Sequence, residues 1–363
     1  MKFLIIHCSA DFNNDLSYQH GWVKAFRNYK DIDCSFLNLN DFFFYKKNIH
    51  YFKDLKELIF DRYDVIIFLH STFSNLCFVP TYVQKIISRK KAIKIYFLGN
   101  EYKLMPEKIN FIKSLGINLL ITQSLNKNII DLYKTKVNCE VIGIPSSGLD
   151  MEIFFPKIDF KLRTNDFGYR TYDEPAYFGH QDRRMLMNRA LEIVKKKKFT
   201  YSFSMEKKDR FLIHDWSNFL NNCKSIIGTN TGFDYFDLND NIRKDVNKLD
   251  LLYNSDFDKI HREYFLNKPK KFSMRIITGK NIEAAGCKTL QISVEGDYGG
   301  YFLPDKHYIS IKKDLSNLEL CLEKIKDQKY CENIVNNAFE VVTTKLKYEN
   351  HIFKIVNFLK NNF

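Results

Sequence analysis

The sequence predicts an α/β protein with two domains, each built on a parallel sheet that helices cover on both faces. The chain has 363 residues, a length that favours two domains with a core each. Apolar and aromatic runs alternate with amphipathic segments, and most runs are continuously apolar, as in strands buried on both faces. Apolar residues make up 45% of the chain and aromatic residues 15%, which is typical of a folded protein and not of a disordered one.

The strand and helix patterns alternate regularly through the first half. The predicted strands are Lys2–Cys8, Cys34–Leu37, Val65–His70, Ile93–Leu98, Leu119–Thr122 and Glu140–Ile144. The predicted helices are His20–Asn28, Tyr82–Arg89, Pro106–Leu115 and Asn126–Tyr133. The sequence G-x-G-x-x-G does not follow the first strand, so the dinucleotide fingerprint is absent.

A segment with proline and glycine, I-P-S-S-G-L-D-M-E-I-F-F-P at 144–156, interrupts this alternation. We place the domain boundary there. The predicted domains are residues 1–157 and residues 158–345, and a last helix at 346–363 is expected to return to the first domain.

The second half resumes the alternation less regularly. The predicted elements are strand Ala176–Phe178, helix Arg183–Lys196, strand Ser225–Gly228, helix Asp256–Leu266, helix Gly279–Ala285, strand Thr289–Val294, and helices Asn317–Lys326, Glu332–Lys345 and Asn350–Leu359.

Cysteine spacing and charge restrict the class of protein. The eight cysteines are scattered without a C-x-x-C pair, which argues against zinc or a disulfide framework and for reduced thiols in the cytoplasm. The net charge of +13 leaves open contact with an anionic membrane surface, but no nucleic-acid-binding module accompanies it, so nucleic acid is disfavoured as a partner. No apolar run has the length of a membrane span, and the start of the chain is too polar for a signal peptide.

The most informative stretch is 280–314. It contains a helix start with Lys280 and Glu283, small residues that close the helix, an apolar strand, and a loop with Gly299 and Gly300. Small residues let a helix pack closely on a sheet, and glycines after a strand leave backbone N–H groups that can face an anion. A carboxylate suits ribose hydroxyls, and a lysine suits a diphosphate.

This stretch resembles the donor-binding end of GT-B glycosyltransferases, and 144–156 resembles the hinge of these enzymes. Further motifs in the same order resemble a group 1-like branch found among bacterial enzymes that build surface polysaccharides. They are Asp64–His70, Asn100–Tyr102, Gly168–Arg170, Gly228–Gly232 and Glu283–Asp314. The resemblance implies a GT-B architecture, with two Rossmann-like domains that face each other across a cleft.

The chain departs from the family pattern at two positions. Many retaining GT-B enzymes carry two glutamates, E-x-x-x-x-x-x-x-E. Glu283 fits the second glutamate, but Arg275 occupies the position of the first. Asn100 stands where relatives more often have aspartate.

The resemblance implies a donor site that neutralises the leaving diphosphate with amides and cations, without a bound metal or cofactor. The cation candidates are Arg183, Lys280 and Arg275, and each could equally be a solvated surface charge. Glu283 could be a plain first-turn glutamate that the helix dipole favours. The other donor-binding candidates lie in loops: Gly179, His180, Thr229, Thr231, Gly232, Tyr298 and Gly299. A capping turn or a hairpin would give these loops the same sequence.

An inverting enzyme also needs a general base for the acceptor hydroxyl, and Glu101 and His70 are the candidates because each stands at or just after a strand end. His70 could instead be a hydrogen-bonded structural histidine, and Glu101 could cap the next helix. A retaining enzyme would use neither as a base. Tyr169 and Arg170 are expected to line the cleft.

The sequence therefore predicts a cytoplasmic glycosyltransferase, peripheral at the inner face of a membrane or free of it. Its substrates would be a nucleotide-diphosphate sugar and a glycan or lipid-linked acceptor of surface polysaccharide synthesis. Two alternatives stay open. One is a glycosyltransferase acting on DNA bases, and the other is a catalytically silent GT-B-like binding protein.

Overall fold

A computed structural model describes residues 1–9, 16–40 and 56–363. The chain forms two compact units that interleave along the sequence. The first consists of Met1–Pro145, Asp237–Asn241 and His351–Phe363, and the second of Ser146–Phe236 and Ile242–Asn350.

The first unit contains a six-stranded, all-parallel sheet in the order β2-β1-β3-β4-β5-β6. The strands are β1 (Lys2–His7), β2 (Asp33–Asn38), β3 (Val65–Phe68), β4 (Ile93–Phe97), β5 (Leu119–Thr122) and β6 (Glu140–Gly143). The strands β3 and β5 are buried along their whole length, as their continuous apolar sequences predict. Every strand predicted in the first half is present.

Helices connect these strands. They are α1 (Ser17–Asn28), α2 (Thr81–Ser88), α3 (Met105–Leu115) and α4 (Lys127–Lys134). Helix α3 has a proline in its first turn and ends at Gly116, whose φ of 63° is left-handed and costs glycine little. Helix α4 begins where the Asn126 side chain accepts a hydrogen bond from the Asn128 backbone N–H at 2.9 Å. Local sequence signals thus define both helices.

The second unit contains a five-stranded parallel sheet in the order β13-β12-β9-β7-β8 and a two-stranded antiparallel ribbon, β10-β11. The strands are β7 (Asn165–Arg170), β8 (Tyr201–Ser204), β9 (Cys223–Gly228), β10 (Thr231–Phe233), β11 (Met274–Ile276), β12 (Leu290–Val294) and β13 (Ile309–Ile311). The helices from here on are α5 (Asp182–Lys196), α6 (Ile213–Asn222), α7 (Asn241–Leu252), α8 (Phe257–Ile260), α9 (Gly279–Gly286), α10 (Leu318–Glu323), α11 (Gln328–Lys345) and α12 (Tyr348–Asn362).

The prediction of a strand at Ala176–Phe178 is wrong, because these residues form a 3₁₀ turn after Pro175. The first strand of this sheet is β7, whose sequence N-D-F-G-Y-R has only two apolar residues. The sequence also missed β8, every residue of which is partly exposed at the sheet edge, and helix α6. Edge strands lack the continuous apolar run that identifies central ones.

A buried arginine fastens the start of this sheet to the end of α9. Arg163 donates to the backbone oxygens of Ile158 at 3.2 Å, Cys223 at 3.0 Å and Cys287 at 2.8 Å. It also donates to Thr289 Oγ1 at 3.0 Å. Because these acceptors are neutral, Arg163 holds backbone segments in place through hydrogen bonds.

All eight cysteines are free thiols, in agreement with the sequence. None of the described helices combines the length and the apolar character that crossing a membrane requires. Within the same residues, no three metal-binding side chains converge on a common point.

Candidate functional site

Helix α9 carries Lys280 and Glu283, the two charged residues of the most informative stretch of the sequence, and its N-terminus is capped. Thr278 and Asn281 form a reciprocal capping box at its N-terminus. At its other end the helix packs very closely, since a Cβ on Gly286 would lie 2.4 Å from Leu149 Cδ1. Glycine at position 286 therefore allows α9, which carries Glu283, to pack this closely against Leu149.

The Glu283 carboxylate is almost wholly buried, with 3% of the residue exposed. Its Oε2 accepts a hydrogen bond from the Trp216 indole Nε1 at 2.7 Å. Its Oε1 faces the start of the same helix, where a Cβ on Gly279 would lie 3.3 Å from it and 3.2 Å from Ser147 Oγ. The neutral indole N–H thus holds one oxygen of the buried carboxylate.

Lys280 lies on the first turn of α9 among other cations. Its Nζ donates to the Arg170 backbone oxygen at 2.7 Å and lies 5.8 Å from the centroid of the Trp216 ring. Burial of the ammonium, with the positive charges of Arg183 and Arg210, lowers the pKa of Lys280 to about 8, although much of the side chain is exposed. Positive charges that lower the pKa of a neighbouring lysine also attract an anion to it.

Arg183 and Glu174 meet at the N-terminus of α5. Glu174 Oε1 accepts from the Arg183 backbone N–H at 3.0 Å and lies 3.4 Å from its Nε. Burial raises the pKa of Glu174 to about 7 against the opposing effect of Arg183. Within the described part of the chain, Glu174 Oε2 and Arg183 Nη1 are buried without hydrogen-bond partners. Both side chains thus retain hydrogen-bonding capacity.

Arg275 forms ion pairs, so its charge is compensated. It bonds Asp234, lies 3.4 Å from Asp182 Oδ2, and donates to the Asn230 backbone oxygen at 2.8 Å. Asp234 also pairs with Lys270 at 2.5 Å, and Arg275 with Lys270 holds the pKa of Asp234 below its usual value despite burial. Arg275 fixes the ribbon region and is a weaker anion-binding candidate than Lys280.

The glycines of this region serve close backbone approach. Gly232 has a φ of 144°, and a Cβ there would lie 2.0 Å from the Met274 oxygen across the ribbon. Gly179 has a φ of 80°, and a Cβ there would lie 2.6 Å from the Tyr235 ring. The His180 Nε2 donates to the Gly232 oxygen at 3.1 Å, so His180 connects the two turns. Thr229 and Thr231 flank the buried Asn230 in the turn after β9 and are partly exposed.

Hydrogen bonds from Asn230 and to Asp297 hold the loop after β12 in a turn. Asn230 Nδ2 donates to the Asp297 oxygen at 2.9 Å, and the Gly299 N–H donates to Asp297 Oδ1 at 2.8 Å. Gly299 and Gly300 both have left-handed φ values, 68° and 72°. The Tyr298 hydroxyl donates to the Val294 oxygen at 2.8 Å and its ring is buried, so the Tyr298 side chain is not available to a ligand.

Tyr169 is buried, whereas Arg170 is partly exposed, and their expected place along a cleft stays a prediction. Tyr169 packs in the hydrophobic core, and its hydroxyl donates to the Arg183 oxygen at 3.3 Å. The Arg170 guanidinium lies 5.0 Å from the Phe211 ring and 4.8 Å from the Phe219 ring. It donates to the Ser202 oxygen at 2.7 Å. The apolar residues that alternate along β7 direct Tyr169 inward.

In the first unit, Glu101 is an internal carboxylate. It is 2% exposed and accepts from Thr122 Oγ1 at 2.6 Å, the Gln123 backbone N–H at 2.7 Å and the Tyr133 hydroxyl at 2.5 Å. Burial raises the pKa of Glu101, and these donors oppose the rise. A carboxylate enclosed in this way binds its own loops and leaves little access for a substrate hydroxyl.

His70 also lies inside the first unit. Its ring contacts Phe97 at 5.2 Å, Tyr18 at 6.0 Å and Trp22 at 6.2 Å between centroids. Burial lowers the pKa of His70 to about 3, so the imidazole is neutral at physiological pH. These contacts pack the His70 ring among aromatic side chains, and its role as a base or as a hydrogen-bonded structural histidine stays a prediction.

The sequence analysis did not identify Trp216 or Glu174. Trp216 lies 67 residues from Glu283 in the chain, in a helix that the sequence missed. Glu174 precedes Pro175 in a loop without a motif. A usable signal was the rarity of tryptophan, since the chain has only two.

The second unit therefore brings two cations close to a buried carboxylate. Lys280 and Arg183 influence each other electrostatically, and Glu283 lies one turn along the helix from Lys280. Such an arrangement can hold a phosphate group by its cations and accept hydroxyl hydrogen bonds with its carboxylate.

The comparisons identify the fold to which this arrangement belongs. No family model matches the sequence, and no curated protein matches it. Solved structures match over nearly the whole chain. Anabaena HepE in complex with UDP-glucose has a TM-score of 0.52 at 10% identity and covers 99% of this chain and 100% of its own. An α-glucosyltransferase in complex with UDP-glucose and DNA containing an abasic site has a TM-score of 0.56 at 10% identity, covering 98% of each chain.

A third neighbour, sucrose-phosphate synthase from Thermosynechococcus elongatus, has a TM-score of 0.55 at 10% identity and covers 99% of this chain and 98% of its own. These neighbours share the GT-B fold of two Rossmann-like α/β domains. The chain has this fold, and the predicted fold class is confirmed. At these identities the likeness establishes the fold alone.

Proposed function

We propose that the chain is a glycosyltransferase that uses a nucleoside-diphosphate sugar as its donor. The observation that carries the proposal is the convergence of Lys280 and Arg183 next to the buried carboxylate of Glu283. Surplus positive charge suits a diphosphate, and a charged carboxylate suits ribose hydroxyls.

Each side chain would have a distinct part in binding and transfer. Glu283 would accept a hydrogen bond from a ribose hydroxyl. Lys280 and Arg183 would neutralise the charge that builds on the leaving diphosphate as the glycosidic bond breaks, which lowers the barrier most when the cations are already in place. The backbone at Gly299 and the turn at Thr229 and Thr231 would bound the donor. This assignment uses amides and cations and no metal.

The solved structures support the donor class. HepE carries UDP-glucose in one structure and UDP with glucose in another, and the α-glucosyltransferase carries UDP-glucose. Because the chain shares the fold of these proteins, a nucleoside diphosphate is the donor class to test first.

The contacts of the first unit favour a reaction in which neither Glu101 nor His70 acts as the base. Glu101 accepts three hydrogen bonds from its own unit, and burial holds the His70 pKa near 3. A general base needs a pKa near the working pH and access to the acceptor hydroxyl. A retaining reaction would not need either side chain as base.

The acceptor that we propose is a glycan or a lipid-linked glycan of surface polysaccharide synthesis, modified on the cytoplasmic side of the membrane. The sequence motifs support this branch, and the net charge of +13 would favour an anionic membrane surface.

A DNA base is the second candidate acceptor. The same net charge would favour DNA, and one structural neighbour was solved with DNA. Phosphate contacts make binding fall steeply with salt. A wild-type protein that binds duplex DNA at 50 mM salt, releases it at 200 mM and transfers sugar to it would replace the glycan proposal.

The testing experiment is a thermal-shift panel with UDP, GDP, CDP and ADP on the wild type and on Glu283→Gln. A ligand at 100 times its Kd stabilises a protein by about 2.7 kcal/mol, so at least one nucleotide should raise the Tm by several degrees. Glu283→Gln should lose most of that shift while its ligand-free Tm stays near that of the wild type. No shift with any nucleotide would refute the proposal.

A second measurement distinguishes a glycosyltransferase from a catalytically silent binding protein. A glycosyltransferase releases nucleoside diphosphate slowly from the matching sugar donor even without acceptor, whereas a silent protein binds the nucleotide and releases nothing above background. Nucleotide binding without release from any of the matching UDP-, GDP-, CDP- or ADP-sugars would favour the silent alternative.

A further inference from the structure

Trp216 contacts both of the polar side chains that α9 contributes to the candidate site. Its indole Nε1 donates to Glu283 Oε2 at 2.7 Å, and Lys280 Nζ lies 5.8 Å from its ring centroid. The ring stacks on Phe219, with centroids 5.5 Å apart and planes 20° apart. The indole is partly exposed, whereas Phe219 beneath it is buried.

From this geometry we propose that Trp216 is a positioning residue for Glu283. It fixes the plane of the carboxylate so that Glu283 can accept hydrogen bonds from the ribose hydroxyls of a nucleotide. This inference rests on the proposed function.

The chemistry of the donor is the reason for this role. An indole N–H is neutral, so it orients the carboxylate without neutralising it, unlike a lysine or arginine partner. When the carboxylate is ionised, it forms the stronger class of hydrogen bond with a hydroxyl. The indole N–H occupies one of the roughly four lone-pair sites of a carboxylate.

Packing limits the movement of the indole. Stacking on Phe219 fixes one face of the ring, and Phe219 itself contacts Phe211 at 5.0 Å and the Arg170 guanidinium at 4.8 Å. Because Trp216 belongs to α6 and Glu283 to α9, this hydrogen bond connects two helices at the site. A residue that only filled space would need the ring and not its N–H.

The test compares ribose recognition in the wild type, Trp216→Phe and Trp216→His. Kd values are measured for UDP, 2′-deoxy-UDP and 3′-deoxy-UDP, or for the same series of whichever nucleotide gives the largest thermal shift. We expect the wild type to prefer the ribonucleotide over at least one deoxy form by about tenfold, a typical contribution of a hydrogen bond to a charged group. Trp216→Phe, which keeps an aromatic ring, should reduce that preference to twofold or less.

Trp216→His retains a ring N–H and should recover at least half of the lost preference. Phe211→Leu is the matched control, since it disturbs the same aromatic cluster without contacting Glu283, and it should keep the wild-type ratio. A merely structural tryptophan would weaken the Kd of all three nucleotides equally and leave their ratio unchanged. An unchanged ratio in folded Trp216→Phe would overturn the inference.

A second measurement keeps Trp216 in place and so does not depend on how its variants fold. In Trp22→Phe, Trp216 is the only tryptophan, since the chain has two. The fluorescence of Trp216 should change on titration with UDP. It should change less with the deoxy form that lacks the ribose hydroxyl bound by Glu283. Equal changes with all three nucleotides, or none despite binding, would overturn the inference. Failure of the wild type to bind any nucleotide would instead refute the proposed function.

Discussion

Two buried glutamates, one in each unit, show how differently the units use polar groups near strand ends. Glu101 in the first unit accepts three hydrogen bonds from side chains and backbone of its own loops. Glu283 in the second unit is held by the neutral Trp216 indole and stands beside the cation Lys280. The sequence proposed both as functional residues, and only the second lies within a cluster of surplus charge.

The lysines of the two units differ in the same way. Lys108 is fully buried and donates to the backbone oxygens of Gly99, Asn100 and Lys103 at 2.5, 2.9 and 3.0 Å. Lys280 donates to one backbone oxygen, that of Arg170, and other cations lie nearby. Satisfied polar groups stabilise a fold, whereas surplus like charge costs stability and indicates a ligand site.

Glu101→Ala should produce the largest effect in the comparison, on stability alone. It leaves the Thr122, Gln123 and Tyr133 donors without their acceptor, and each orphaned buried donor costs on the order of 1–3 kcal/mol, for a loss of about 4 kcal/mol. Thermal unfolding should show a Tm lower by many degrees, and the nucleotide Kd measured at low temperature should be that of the wild type.

The exposed Glu340→Ala is the control for removal of a carboxylate and should leave the Tm within the error of measurement. If Glu101→Ala keeps its stability but abolishes sugar transfer, the contrast between the two glutamates fails. Glu101 would then regain the base role that the sequence suggested.

A buried glutamate and two buried histidines should make contributions to stability with opposite pH dependence. The pKa of Glu174 in the second unit is about 7, above its ordinary value of 4.5. Between these values the folded protein keeps a proton on Glu174 that the unfolded chain has lost. The contribution of Glu174 to the free energy of unfolding therefore falls as the pH rises from 4.5 to 7, and it is constant above pH 7. The shift amounts to about 3 kcal/mol for a group buried to this degree.

In the first unit, burial lowers the pKa of His70 to about 3 and, together with Arg27, that of His7 to about 4. Below pH 6.5 the unfolded chain binds protons at these two histidines and the folded protein does not, so the free energy of unfolding falls as the pH drops. Glu174→Gln removes only the first effect. Its stability relative to wild type should rise by up to about 3 kcal/mol between pH 4.5 and 7, as measured by urea unfolding at a series of pH values. A constant difference across that range would contradict the raised pKa, and Glu340→Gln should show none.

The sequence predicted most of the fold, because its central strands carry a signal that needs no tertiary context. Every strand predicted in the first half is present, since buried parallel strands read as continuous apolar runs. The strand β7 was missed because Asn165, Asp166 and Arg170 interrupt its apolar pattern. The limits of the domains stay a prediction, because the two compact units interleave along the chain.

The candidate site was only partly predictable, for a physical reason. Glu283 and Lys280 stand one turn apart on one helix, so local sequence brings them together. Trp216 and Glu174 come from distant loops and helices, and only packing shows that they contact α9 and Arg183. The roles of the proposed site residues stay predictions until nucleotide binding is measured.

Lys280→Met gives the smallest of the three effects and tests the second unit directly. A charge-assisted hydrogen bond to phosphate contributes about 2 kcal/mol, so the Kd for UDP should rise about 30-fold, with no change for uridine. Because the Lys280 pKa is about 8, the wild-type affinity for UDP should also fall as pH rises past that value. Isothermal titration calorimetry at several pH values measures both, and the variant should show no such fall.

Two controls decide whether the contrast between the lysines is real. Lys108→Met should lower the Tm and leave the UDP Kd unchanged, because the Lys108 ammonium donates to three backbone oxygens of its own unit. The exposed Lys329→Met should change neither quantity beyond a small nonspecific charge effect. If Lys280→Met behaves like Lys108→Met, then Lys280 is a structural lysine that fastens α9 to Arg170. The diphosphate would then have to bind Arg183 without it, and the surplus charge that distinguishes the second unit would lose its functional meaning.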